Sequence, residues 1–186
     1  MASCLWWKRV GPPLGKRAEK EQRMDANLAP YALGSEDGEA LWFFGMLVTM
    51  KATAEQTGGE FLLIEELAPR GTATPLHVHP TDDESFWILE GECTFYFEDG
   101  QPIPASAGSF VHIPKGHVPH AFRVDSETAR FLVLTRPAHE HFIRAAAEPA
   151  RARTLPPEAP IDMERVMAAA NAYGMEILGP PPGEQG

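Results

Sequence analysis

The stretch GTATPLHVHPTDDESFWILEG, Gly71 to Gly91, decides how this chain is read. His77 and His79 stand two residues apart in a short run that begins at Pro75 and includes Leu76 and Val78. Residues i and i+2 of a β-strand project to the same face, so both imidazoles look to one side of a sheet. A polar turn, His79-Pro80-Thr81-Asp82-Asp83, leads to Glu84 at the head of a second apolar run. Alternation puts Glu84, Phe86 and Ile88 on one face and Ser85, Trp87 and Leu89 on the other. Antiparallel pairing of these two arms can bring the carboxylate beside both imidazoles.

Further short strands are expected on either side. An aromatic and β-branched run from Leu41 to Thr49 reads as one strand, and Phe61 to Leu67 as another after a turn at Thr57-Gly58-Gly59. Beyond Gly91, strands are expected at Cys93–Glu98, Ser109–Ile113, His120–Val124 and Ala129–Thr135. Asp99-Gly100 makes the hairpin turn between the first two, a dipeptide that favours positive φ. Many short strands punctuated by Gly, Pro and Asp imply an all-β sandwich or jelly roll. After Pro137 the chain turns Ala-rich, and Phe142, Ile143, Ala146 and Ala147 mark a helix that Pro149 stops. A linker, Leu155 to Pro160, precedes a second helix carrying Met163, Val166, Met167 and Ala170, with Asp162 as N-cap and its end before Gly174. Both helices are expected to pack on the outside of the β-structure or on a partner subunit. The expected organisation is an extension over residues 1–23, a β-barrel over 24–137, and helices with a Pro-rich tail over 138–186.

The 186 residues carry a formal charge of −10, unevenly spread. Six bases and two acids precede Met24, which leaves 10 bases and 24 acids after it. An acidic body repels nucleic acid and anionic lipid surfaces, and no apolar run is long enough for a membrane span. No helix-turn-helix module is evident. Leu5-Trp6-Trp7, broken at once by Lys8-Arg9, is not a signal peptide, and Met24 is a candidate initiator. The two cysteines, Cys4 and Cys93, form no disulfide framework, so a reduced, cytoplasmic setting is expected.

A second block holds Gly108, Pro114, Gly116 and His120. His120 begins a strand on which Phe122 and Val124 share its face, and His117, directly after Gly116, is its competitor. A lone strand histidine is more often a hydrogen-bonded core residue than a ligand. A His-x-His pair with a following carboxylate and a distal histidine is far more specific. Three imidazoles and a carboxylate suit Fe, Mn, Ni, Co or Zn as a divalent ion. Without thiolates a closed structural zinc site is disfavoured, and open coordination positions remain for water, substrate or O2. Gly71, Gly91, Gly108 and Gly116 are read as turn residues, with Pro114 stiffening the loop before the distal histidine. Asp82 and Asp83 read as a solvated turn, Asp83 within reach of the site, and His112 and His139 as structural or exposed.

The spacings G-x5-H-x-H-x4-E-x6-G (Gly71, His77, His79, Glu84, Gly91) and G-x5-P-x-G-x3-H (Gly108, Pro114, Gly116, His120) resemble the two motifs of the cupin superfamily. The second has one residue more than the family pattern before its histidine. The resemblance spans roughly residues 60–135 and implies a jelly-roll barrel, a double-stranded β-helix. It assigns His77, His79, Glu84 and His120 as ligands of one divalent transition metal. Thr74 to His79, Asp82 to Gly91, Pro119 to Val124 and the tail Gly174 to Pro182 look like small bacterial cupins related to quercetin 2,3-dioxygenase. That likeness implies O2-dependent cleavage of a flavonol-like or other enolisable small molecule, with Glu84 as ligand and base. Phe86, Ile88 and Phe122, together with Phe95, Phe97 and Phe131, are candidate pocket walls. A metal-dependent isomerase or decarboxylase, or a cupin that only binds a small molecule, are the alternatives. For phosphosugars only Lys51, Lys115, Arg123 and Arg130 lie near the barrel, and none has an evident inward position. Cupin barrels commonly pair, which implies a homodimer with the Leu41–Val48 strand as its edge.

Overall fold

The computed structural model describes residues 28–98 and 100–180, so the expected N-terminal extension, Cys4, Met24 and Asp99 lie outside the described residues. Every element below belongs to the compact unit that begins at Tyr31. The strands are β1 (Glu39–Phe43), β2 (Met46–Ala52), β3 (Leu62–Pro69), β4 (Leu76–Val78), β5 (Glu84–Glu90) and β6 (Glu92–Phe97). They continue with β7 (Ile103–Ser106), β8 (Phe110–Ile113), β9 (His120–Val124) and β10 (Thr128–Thr135). Helix α1 (Pro137–Ala146), β11 (Glu148–Pro149), helix α2 (Met163–Tyr173) and β12 (Glu176–Gly179) complete the chain. Two antiparallel sheets result, ordered β11-β1-β2-β3-β10-β5-β8 and β12-β4-β9-β6-β7. This is the jelly-roll sandwich of the expected all-β class, with two short helices. Among the described residues no helix is long and apolar enough to cross a membrane.

Period-2 burial builds the core. Leu62, Ile64 and Ala68 of β3 face inward, as do Phe86 and Ile88 of β5 and Ala129, Phe131 and Val133 of β10. Glu84, Phe86 and Ile88 are buried while Trp87 and Leu89 are exposed, as alternation requires. A large buried aromatic costs about 3–5 kcal/mol when cut to Ala, so the Phe86–Phe95–Phe122–Phe131 cluster is a main source of stability. Its ring centroids are 4.9 Å apart for Phe86–Phe95 and 5.4 Å for Phe122–Phe131.

The Leu41–Thr49 run departs from the expected single strand. Phe44 (φ 54°) and Gly45 (φ 77°) reverse the chain, and Leu41 pairs with Val48 across the resulting hairpin. Two successive positive-φ residues match the twist of a two-residue hairpin, and a Phe-Gly pair hides that turn inside an apolar run. The strand foreseen as a dimer edge is also used within the chain: β11 pairs with β1 through Leu41↔Pro149 and Trp42↔Glu148. At Gly91 (φ 80°) a Cβ would stand 2.3 Å from the Thr128 carbonyl oxygen, so only glycine closes the β5–β6 turn. The other three motif glycines, Gly71, Gly108 and Gly116, also take positive φ.

The C-terminal segment does more than cover the barrel. Phe142 and Ile143 of α1, and Val166, Ala169 and Ala170 of α2, join the core. Glu140 accepts a hydrogen bond from Ala54 N (2.7 Å) and one from Arg144 Nε (2.8 Å), which fixes α1 against the β2–β3 loop. Asp162 caps α2 by accepting from Arg165 N (3.0 Å), and Gly174 ends it in the left-handed region. The segment expected as a tail is strand β12, which pairs with β4 through Ile177↔His77 and Glu176↔Val78.

Candidate metal centre

β4 is three residues long, but it lies between β9 and β12, and its pairing aligns His77 directly with His120. His79 follows one residue past the end of β4, and Glu84 enters from the facing sheet at the head of β5. One donor atom from each of His77, His79, Glu84 and His120 lies within 4.8 Å of all the others, and all four residues are buried. The motif residues that are far apart in sequence therefore converge. His117 is exposed and does not compete with His120. Asp83 points elsewhere: it accepts a hydrogen bond from Lys115 N (2.9 Å) and braces the loop that precedes the distal histidine.

Hydrogen bonding fixes the imidazoles. His77 Nδ1 lies 2.8 Å from the Pro75 carbonyl oxygen, and His120 Nδ1 lies 2.9 Å from that of Val118. A carbonyl cannot donate, so each Nδ1 carries a proton, and the neutral His77 ring presents the lone pair of its Nε2. His120 Nε2 lies 3.3 Å from Glu84 Oε2, in hydrogen-bond contact, and His79 Nε2 lies 3.7 Å from the same oxygen. His79 Nε2 is buried and has no hydrogen-bond partner. The His79 lone pair and the Glu84 carboxylate converge in a buried site, a donor set that would suit a divalent cation.

The protonation states agree with that fit. Burial, reinforced by His120, lowers His77 to about 4, and burial lowers His79 to about 3, so both are neutral near pH 7. Burial works to raise Glu84, but the positive charge that His79, His139 and His120 carry when protonated, with the hydrogen bond from His120, outweighs it and holds the carboxyl well below the usual range. A neutral imidazole pair and an ionised carboxylate are the ligand forms of these groups.

The cluster opens on a cavity of about 640 Å³ of empty space, its mouth included. Phe86, Phe95 and Phe122 wall it, together with Phe43, Phe44 and Met46 from the β1–β2 hairpin and Phe142, Val166, Met175 and Ile177 from the C-terminal segment. Of the expected pocket residues, Ile88 is fully buried in the core and is not among the residues that line this cavity. Phe97 and Phe131 likewise stay outside the lining. Among the described residues no Lys or Arg borders the cavity.

Two titratable residues were not foreseen at the cavity, Glu66 and His139, the latter expected to be structural or exposed. His139 of α1 is buried, its Nε2 lies 3.9 Å from Glu84 Oε1, its ring stacks on His79 at 5.1 Å, and its Nδ1 has no partner. Nothing in the motif spacing points to it, because a helix outside the motifs carries it in. Glu66 of β3 also lines the cavity. The signal for Glu66 was available, since it shares the inward face of Leu62, Ile64 and Ala68.

Residues 63–135 match the family described as Cupin domain. Over 183 residues, 97% of this chain, the sequence is 30% identical to the quercetin 2,3-dioxygenase of Bacillus subtilis (strain 168). The chain spans about half the length of that curated relative, 53%. An RmlC-like cupin from Shewanella frigidimarina superposes with a TM-score of 0.52 at 20% identity, covering 62% of this chain and 97% of that one. The polyketide cyclase RemF from Streptomyces resistomycificus gives 0.51 at 22% identity, covering 59% and 80%. These two structures show the fold alone. Fold, converging side chains and family match coincide on the same strands: residues 63–135 match the Cupin domain family, and the chain resembles quercetin 2,3-dioxygenase.

Proposed function

We propose that this protein is a metal-dependent dioxygenase that cleaves a flavonol-like or other enolisable ring with O2. The observation that carries the reading is a buried three-histidine, one-glutamate cluster at the floor of an aromatic cavity. The 30% identity to a quercetin 2,3-dioxygenase over most of the chain supports the choice of reaction. His77, His79, Glu84 and His120 would hold one divalent ion, which supplies Lewis acidity and sites for the substrate hydroxyl and O2. Glu84, ionised and buried, takes the proton of the substrate's enolic hydroxyl as general base. His139 borders the other carboxylate oxygen, with its Nε2 3.9 Å away. Phe86, Phe95 and Phe122 orient a flat substrate and exclude water from the reacting face.

A phosphosugar isomerase finds little support here, because among the described residues a phosphate would meet no Lys or Arg in the cavity. A reducing, cytoplasmic setting is part of the proposal and rests on cysteine usage: Cys93 is a buried free thiol. A homodimer is also proposed. With the β1 edge occupied by β11, its surface is the outer face bearing Trp87, Phe110 and Leu134, which are 54%, 60% and 44% exposed. The direct test of the activity is O2 uptake by metal-loaded protein given quercetin. Uptake with loss of the flavonol absorbance is expected. Flavonol binding without O2 uptake would leave a binding cupin in its place.

A further inference from the structure

Glu65 and Glu66 are neighbours on β3 with opposite surroundings. Glu65 faces outward and is matched by Arg130 and by Lys51, whose Nζ is 3.7 Å away. Glu66 faces inward, only 5% exposed, between Val48 of β2 and Phe131 of β10, which are 0% and 1% exposed. Among the described residues no group hydrogen-bonds or pairs with its carboxyl, whose pKa burial raises to about 8 with help from the Glu84 charge. The side chain therefore keeps its proton near neutral pH, and it lines the same cavity as His77, Glu84 and His120.

A buried carboxyl without partners opposes folding, and an apolar side chain of similar size would serve the core better. Glu66 also stands outside the group whose donor atoms lie within 4.8 Å of one another, so the metal cluster does not account for it. A protonated carboxyl donates one hydrogen bond and accepts others, which matches a neutral oxygen function rather than an ion. The surrounding rings of Phe86, Phe95 and Phe122 offer no competing polar group.

We propose that Glu66 is the residue by which this cavity recognises an uncharged hydroxyl or carbonyl on a flat apolar ligand, at a point on the ligand other than the one meeting the histidine–glutamate cluster. The proposal deepens the dioxygenase reading and rests on its assumption of a ring-bearing substrate. It makes Glu66 a specificity residue, selecting among ligands that share an enol but differ in their outer substituents.

The test compares wild type, Glu66→Leu and Glu66→Gln as full-length, metal-loaded protein, by thermal melting and by fluorescence titration with two probes. Quercetin carries several ring hydroxyls; 3-hydroxyflavone keeps the enol and carbonyl but lacks the others. Glu66→Leu is expected to melt about 2–4 °C higher without ligand. It is expected to bind quercetin about tenfold more weakly and 3-hydroxyflavone equally well, while Glu66→Gln regains part of the quercetin affinity. A lower melting point for Glu66→Leu, or equal losses for both probes, would overturn the proposal. If wild type binds neither flavonol, the dioxygenase reading fails by itself. The ligand-free melting points then decide the role of Glu66, a rise supporting recognition and a fall showing a structural group.

Discussion

Glu84→Gln exchanges a carboxylate for an amide of nearly the same shape at a position 5% exposed. In the metal-free protein the amide can satisfy a buried acceptor. Its nitrogen can donate to His79 Nε2, which lies 3.7 Å from the present Oε2 and has no hydrogen-bond partner among the described residues. One recovered buried hydrogen bond contributes about 1 kcal/mol, a rise of about 2–4 °C in melting temperature for a domain of this size. With metal the sign reverses. Free metal at about a thousand times its dissociation constant stabilises the wild type by about 4 kcal/mol. Substitutions beyond the direct ligands already cost about 10–100-fold in metal affinity, and loss of a charged ligand costs no less. At the same free metal, Glu84→Gln should keep no more than about 1.4–2.7 kcal/mol of that stabilisation. The assay is differential scanning fluorimetry of chelator-treated protein, titrated back with each candidate ion. A metal-free variant several degrees below the metal-free wild type would show that the carboxylate serves the fold through charged imidazoles. An undiminished metal-induced rise would show that Glu84 is not a ligand.

Acid should destabilise the metal-free protein early. His77, lowered to about 4 in the folded state, has an unfolded value near 6.5, so the unfolded chain binds more protons between those limits. Stability is therefore whole above about pH 6.5 and falls as pH drops, by about 3 kcal/mol from His77 alone on reaching pH 4. His79 adds to the loss in the same direction. Urea titrations at pH 7.5 and 5 check this, and equal midpoints would contradict it. In the distal loop, His120→Ala should abolish metal retention while His117→Ala, at an exposed position, leaves it unchanged by elemental analysis. Asp162→Ala should cost about 1 kcal/mol by removing the cap on α2, read from denaturant midpoints. Light scattering should give twice the 20.4 kDa chain mass, and Trp87→Lys on the exposed face should return it to one.

Much of the fold and site was legible because period-2 patterns are local. The alternation around Glu84 and the His-x-His spacing each fix a face without knowledge of the partner strand. What brings His77 opposite His120 is sheet pairing across 43 positions of sequence, and that came from resemblance, not from pattern. The hairpin at Phe44-Gly45 was hidden because apolar residues continue through the turn. Strand β7 was missed because Pro102 and Pro104 argue against a strand, yet β7 is a sheet edge, where proline is tolerated. β12 has no alternation long enough to read; it forms because β4 offers it an edge. His139 reaches the site by helix packing, which no local spacing records. Glu66 was legible and passed over, one acid on an otherwise apolar strand face.

The central claim is that His77, His79, Glu84 and His120 hold a metal ion, and elemental mass spectrometry of protein purified without an affinity tag tests it most directly. Close to one equivalent of a first-row divalent metal in the wild type, lost in His77→Ala, is the predicted result. Absence of metal from the wild type, persisting after reconstitution with iron, manganese, nickel, cobalt and zinc, would contradict it.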